Sequence, residues 1–175
     1  VTGPSGFKLL YPTPQEVNDG GFCGRLWLFW KRAASESGSY TFTHATATSQ
    51  VCLAAFSGCV TTGTPIDGYS YNFSGGTADA CAFSPNSTND LVIFADHGWT
   101  GSATTPPSGM TEQFDTTLLT MSTITLSSRG DTGSTSHSSS NPRETYYFAL
   151  RGPASGGATS LAPANPMAFV PFLVR

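Results

Sequence analysis

Leu26, Trp27, Leu28, Phe29 and Trp30 stand in unbroken succession between Arg25 and the pair Lys31 and Arg32. In an extended strand successive side chains take opposite faces, so Leu26, Leu28 and Trp30 point one way and Trp27 and Phe29 the other. A strand that is apolar on both faces either lies in the middle of a sandwich or holds one face against a partner. The sequence leaves both readings open for Trp27 and Phe29.

The rest of the chain is consistent with a sheet protein. Period-two alternation returns at Tyr40 to Thr43 and at Gln50 to Ser57, where Val51, Leu53 and Ala55 alternate with Cys52, Ala54 and Phe56. Further strands are expected at Asp90 to Ala95, Met110 to Asp115, Ser122 to Ser128, Thr145 to Arg151 and Met167 to Val174. Asp67-Gly68, Gly75-Gly76 and Ser84-Pro85-Asn86 read as turns, and Gly130 to Pro142 as a solvated loop. Charged residues make up 11 % of the 175 residues, against roughly 25 % in ordinary soluble domains. Serine, threonine, glycine and proline take their place, which suits short strands joined by many turns.

These signals predict an all-β chain: an antiparallel two-sheet sandwich, jelly-roll-like, over residues 1–153, followed by an Ala/Pro/Gly-rich tail over 154–175 that ends in an apolar edge strand. Pro171 places that last strand at an edge or bulge, because proline cannot donate to a ladder.

An internal half-repeat organises the strands. Pro4-Ser5-Gly6-Phe7 returns as Pro107-Ser108-Gly109-Met110, and Ala54 to Gly58 returns as Phe148 to Gly152. The second copy is preceded by the strong strand Asp90 to Ala95, whereas only Val1, Thr2 and Gly3 precede the first. A strand is therefore missing from the first half, and Met167 to Val174 is expected to fill the slot, folding back in its own chain or adding to a neighbour's sheet.

Net charge is −3, and the eight Lys and Arg residues are scattered, so the basic stripe of a nucleic-acid binder is absent. No apolar run reaches the roughly 18 to 20 residues needed to span a bilayer. The N-terminus lacks the basic and apolar regions of a signal peptide, which suggests processing or release inside a virus particle. Cys23, Cys52, Cys59 and Cys81 form an even set without a C-x-x-C pair. Two disulfides are the simplest expectation, with Cys23–Cys52 and Cys59–Cys81 favoured among three connectivities and four buried thiols as the alternative. That expectation points to the cell exterior or a virion surface.

Asn89-Asp90-Leu91-Val92-Ile93-Phe94-Ala95, then Thr105-Pro106-Pro107-Ser108-Gly109-Met110-Thr111-Glu112, then Tyr147-Phe148-Ala149-Leu150-Arg151 resembles a β-sandwich domain of phage tail and capsid-associated proteins and of bacterial extracellular proteins. Ala54 to Gly58 and Thr64 to Asp67 fit the earlier part of the same pattern, and the tail after Pro153 does not. The resemblance implies a jelly-roll-like fold in a virion or cell-surface setting and attaches no catalytic residues to it.

The chemistry-bearing residues are sparse. His44, His97 and His137 share no metal spacing, and His97 reads as a loop histidine. No Gly-x-Ser-x-Gly elbow marks a nucleophile. Asp96 and Asp115 read as turn residues rather than a glycosidase pair. Asp67, Asp79, Asp90 and Asp131 lie near turns without the dense run of a calcium loop. Asn72-Phe73-Ser74 and Asn86-Ser87-Thr88 match the glycosylation pattern, which arises easily in so Ser- and Thr-rich a chain. Tyr69, Tyr71 and Phe73 share one strand face and, with Trp99, form a candidate aromatic face for core packing, subunit contact or sugar.

The expected function is that of a non-enzymatic structural subunit of a virion or extracellular assembly, a decoration or tail-associated protein without cofactor. Its partners are other copies of itself or other virion proteins, reached by edge strands and by Met167, Phe169, Val170, Phe172, Leu173 and Val174. On that reading a chain ended at Pro153 stays a folded monomer. The alternative is a carbohydrate-binding or adhesive surface module whose partners are surface glycans.

Overall fold

The computed structural model describes residues 1–11, 16–19, 22–45, 49–74, 83–98, 105–116, 118–127, 143–152 and 167–174, of which 16–19, 22–24, 73–74, 98, 143 and 167–174 are described by their backbone alone. Within these the chain is all-β, with two antiparallel sheets. The first contains β1 (Lys8–Leu9), β2 (Glu16–Asp19), β3 (Phe22–Arg32), β4 (Ser49–Val51), β5 (Ala54–Phe56) and β11 (Met167–Val174), and the second contains β6 (Ile66–Ser74), β7 (Asp90–Gly98), β8 (Thr111–Asp115), β9 (Leu119–Leu126) and β10 (Arg143–Leu150).

The main core lies between the sheets. Leu26 and Leu28 of β3 meet Ile93, Ala95, Leu119, Met121, Tyr146, Phe148 and Leu150, all buried, with Trp30 packed against them. Trp27 and Phe29 form a smaller cluster on the outer face of β3, covered by Val1, Phe7 and Phe42 of the same chain. Both faces of β3 are thus filled intramolecularly, the core reading of Trp27 and Phe29. The second sheet is also buried on both sides, since Val92, Phe94, Tyr147 and Ala149 pack with Phe83 away from the main core.

The half-repeat is visible in geometry. Phe7 N donates to Pro4 O at 3.1 Å and Met110 N to Pro107 O at 2.9 Å, closing two Pro-Ser-Gly turns whose glycines sit at φ 87° and 82°. Such turns need a positive φ at their third residue, which glycine adopts without steric cost. Strand order repeats as well: β1-β3-β11-β4 in one sheet and β8-β9-β7-β10 in the other, with β5 also pairing β11. The C-terminal strand therefore holds in the first half the place that β7 holds in the second.

Several expectations are corrected. Tyr40 to Thr43 forms no strand, only a bridge between Thr43 and Thr2; the Tyr40 and Phe42 rings pack edge-on against Phe7 instead. Gln50 to Ser57 divides into β4 and β5. The break falls at Cys52 and Leu53, opposite Val170 and Pro171 of β11, where proline has no N–H to continue a ladder. The β9 strand starts early, at Leu119, because the preceding turn is closed by Thr116, whose hydroxyl accepts from Leu119 N at 2.9 Å.

Cys52 and Cys59 are free thiols, contrary to the expected disulfides. Cys59 belongs to the main core and Cys52 packs against it, so they act as small apolar residues rather than staples. Burial raises both thiol pKa values. The side chains of Cys23 and Cys81 lie outside the described residues. Alkylation of the native protein without reductant is expected to label Cys59 at least tenfold more slowly than after unfolding. Mass spectrometry that found either Cys52 or Cys59 in a disulfide-linked peptide would contradict this arrangement.

Candidate functional site

The site is built around the slot that β11 fills. Met167 to Val174 pair with Arg32 to Arg25 of β3 along one side. Along the other, Met167 to Phe169 pair with Phe56 to Ala54, and Phe172 to Val174 with Val51 to Ser49. The sequence predicted an edge strand, and the structure places it in the interior of the sheet. The proline is accommodated because the ladder is interrupted where it lies. Among the described strands nothing else joins β3 to β4 and β5. Met167, Phe169, Val170, Phe172, Leu173 and Val174, expected as subunit contacts, are thus backbone partners within their own chain; their side chains lie outside the described residues.

The chain leaves β10 for this strand at Arg151 and Gly152, and the exit is tied down. Arg151 N donates to Pro65 O at 2.8 Å, and Val60 N donates to Arg151 O at 3.0 Å. The Arg151 Nε lies 2.7 Å from Asp67 Oδ1 in an ion pair whose aspartate side chain is fully buried and whose arginine side chain is 40 % exposed. Gly152 packs so closely that an added Cβ would lie 2.2 Å from the Asn89 carbonyl oxygen. No side chain fits there, which explains the glycine better than turn chemistry does.

Asp67 reaches this position through a β-bulge. Ile66 pairs with Leu150 and Gly68 with Ala149, leaving Asp67 as the extra residue. Asp67-Gly68 was expected as a turn; a bulge uses the same residue types, and only the partner strand distinguishes them. The carboxylate accepts from Asn86 N, from Ser87 N at 2.8 Å and from Ser87 Oγ at 3.1 Å, besides Arg151. Asp90, at the start of β7, lies beside it and is fully buried. Of the four aspartates weighed as a calcium set, Asp67 and Asp90 come together, while Asp79 and Asp131 fall outside the described residues. Among the described residues no group of three or more acidic, His or Cys side chains converges on a metal position.

Burial and the neighbouring Asp67 push the Asp90 carboxyl up to about 6, while Arg151 and the donors around it hold Asp67 below its ordinary value despite burial. The proton of the pair therefore resides on Asp90.

A second carboxyl lies inside the sandwich. Glu144 of β10 is 1 % exposed, and its Oε2 accepts from Leu26 N across the sheets at 3.0 Å. Burial pushes its pKa up to about 9, against the lowering effect of that hydrogen bond. Glu144 pairs in register with His97, which is a buried strand residue and not the expected loop histidine. Asp96 is likewise buried in β7, and Asp96 and Asp115 both register with Thr120, whose hydroxyl donates to Asp115 Oδ1 at 3.1 Å. His97 and Glu144 are thus gathered in the sandwich interior.

Sequence reasoning passed over Glu144 and Arg151 and gave Asp67 and Asp90 only turn roles. The signal for Glu144 was its place in the same two-residue alternation as Tyr146, Phe148 and Leu150. For the Asp67 pair no local signal existed, since its members are brought together only by β6, β7 and β10 pairing.

The aromatic face is partly assembled. Tyr69 and Tyr71 are 47 % and 46 % exposed, and both contact the buried Tyr11 ring edge-on at 4.5 and 5.8 Å. A shallow groove of about 280 Å³ runs beside Tyr69, lined also by Leu10, Trp30, Thr64 and Ile66. Phe73 and Trp99 side chains lie outside the described residues. A larger groove of about 590 Å³ flanks β4, between Tyr40, Phe42 and His44 on one wall and Val51 and Leu53 on the other. Val51 and Leu53 are exposed, the outward half of the alternation seen in the sequence.

Comparison with protein-family models, with curated proteins and with solved structures finds no match. No helix among the described residues is long and apolar enough to cross a membrane.

Proposed function

We propose that this chain is a structural subunit of a virion or extracellular assembly, a decoration or tail-associated protein that contacts neighbouring copies through edge strands and its C-terminal tail. The observation that carries the reading is the interior position of β11. The strand that completes the first half of the molecule comes from the far end of the sequence, across residues 151–166. At about 3.3 Å per residue that connection can extend to roughly 50 Å. Its ends need far less, since Arg151 is bonded to Val60 and Met167 pairs with Phe56. The same ladder is therefore within reach of a neighbour's slot, and a head-to-tail exchange of this kind generates rings or filaments. The exposed Val51 on the edge strand β4, with Leu53 just after it, gives a second contact to another copy. The low charge and hydroxyl-rich surface, together with the resemblance to phage and extracellular sandwiches, support the setting.

Light scattering of the purified chain over a wide concentration range is expected to show a discrete ring or filament. Excess peptide of residues 164–175 is expected to break it into smaller species. A monomer at every concentration would falsify the reading.

The groove between Trp30 and Tyr69 supports a second reading, a carbohydrate-binding or adhesive module, because sugar rings stack on exposed aromatic faces. Titration with cell-surface polysaccharide, followed by tryptophan fluorescence, separates the two. Saturable binding lost in Tyr69→Ala favours the second.

A further inference from the structure

We propose that the buried Asp67–Asp90 pair and Arg151 form a proton-dependent lock on the exit from β10, which in its protonated form retains β11 in its own slot and on deprotonation frees it for exchange with a second copy. This deepens the assembly reading by assigning its regulation, and rests on that reading for the exchange though not for the lock itself.

The geometry supplies the switch. Asp90 is 0 % exposed, and no donor among the described residues reaches either of its carboxyl oxygens at good hydrogen-bond geometry. Its polar neighbours are the Asp67 carboxylate and the Gly152 N–H. Two adjacent buried carboxylates repel, whereas one proton between them turns the contact into an O–H···O⁻ hydrogen bond. Among the described residues the groups facing the pair are few. From β6 comes Asp67, from the loop before β7 the uncharged Asn86 and Ser87, from the end of β10 Arg151, and from β9 the apolar Leu126, paired with Asp90. One partly exposed guanidinium thus balances one anion when the proton is present and faces two when it is lost.

The same geometry connects the switch to the tail. Asp90 follows Asn89, a left-handed residue at φ 61°, and the Gly152 backbone rests against the Asn89 carbonyl without room for a methyl group. Displacement of Asp90 away from Asp67 therefore moves Asn89 against Gly152, the residue that follows Arg151. Residues 153–166 and then β11 follow directly.

The direction follows from linkage. An acid whose folded pKa is raised from 3.8 to about 6 destabilises the folded arrangement progressively as pH rises between those values, and fully above about 6. The lock is closed in mild acid and strained at neutral pH and above.

Hydrogen exchange at the Val60 and Arg151 amides of the full chain, corrected for the intrinsic effect of pH, reads the lock without reference to assembly. Protection is expected to fall at least tenfold from pH 5 to pH 8 in the natural sequence. In Asp90→Asn, whose neutral amide donates to Asp67 at every pH, protection is expected to stay at the acid level. A labelled peptide of residues 164–175 is expected to enter the slot faster at pH 8 than at pH 5. A flat profile in the natural sequence, or the same decline in Asp90→Asn, overturns the proposal. Should that variant not fold, carboxyl-carbon NMR of the natural protein decides: a midpoint for Asp90 near 6 supports the lock and one near 4 overturns it. A pH-dependent lock in a chain that stays monomeric supports the lock and counts against the assembly reading instead.

Discussion

A chain ended at Pro153 is expected to lose the cooperative fold of its first half and to recover it when a peptide of residues 164–175 is added. The simple tail reading of the sequence predicts the opposite, a stable monomer. The difference lies in the position of β11, which pairs with β3 over eight residues and with β4 and β5 on its other side. At about 1 kcal/mol per ladder hydrogen bond, with partners on both sides, its removal costs on the order of 10 kcal/mol. That is comparable to the whole stability of a domain this size. Thermal melting followed by circular dichroism gives the answer, and a truncated chain that melts as sharply as the full one shows that β11 is dispensable.

The second large effect belongs to Glu144. Its carboxyl is buried and protonated at neutral pH, with a pKa pushed up to about 9 from an ordinary 4.5. A raised acid stabilises the folded state fully below its unfolded pKa and loses that contribution as pH rises towards the folded one. Between pH 4.5 and 9 the loss is on the order of 5 kcal/mol, with about 2 kcal/mol of it falling between pH 7 and 9. Asp90 titrates near 6 and Asp67 below its usual value, so neither adds to the upper window, and the fall there from the Cys52 and Cys59 thiols, raised by burial, is common to the natural protein and the variant. Asp67 also runs in the other sense, stabilising above pH 3.8 and losing that contribution as pH falls. Glu144→Gln keeps the acceptor for Leu26 N–H but cannot ionise. Urea denaturation at pH 7 and pH 9 is expected to show a falling midpoint in the natural protein and a much smaller fall in the variant. Equal falls in both remove Glu144 as the cause.

The two buried carboxyls have different consequences because of where they lie. Glu144 spans the sandwich and stabilises the contact between sheets through the Leu26 N–H. Asp90 sits at the start of β7, against the exit of β10, where a small displacement reaches the tail rather than the core.

Much of the architecture was legible because alternation is a local signal. Leu26, Leu28 and Trp30 alternate with Trp27 and Phe29 in the sequence, and the two sets enter separate clusters on opposite faces of β3. The repeated Pro-Ser-Gly turns and the vacancy before the first of them likewise pointed to the slot now occupied by Met167 to Val174. The errors arose where distant strands decide. Asp67-Gly68 carries the residue types of a turn and forms a bulge because β10 lies opposite. His97 follows a strand signal that faded at Ala95, yet pairing with Glu144 and Leu119 extends β7 past it. The even cysteine count suggested a staple, while packing put the Cys52 and Cys59 sulfurs into apolar surroundings.

The sequence by itself determined that the chain is built of strands, which side chains share a face, and that the first half lacks a strand of its own. Those properties follow from the two-residue period of extended backbone, which each segment carries regardless of its surroundings. Only the tertiary structure decided that the last strand lies inside a sheet and that Asp67, Asp90 and Arg151 meet. Such positions depend on register between segments far apart in the chain, and register is settled by the total burial and hydrogen bonding of both sheets together.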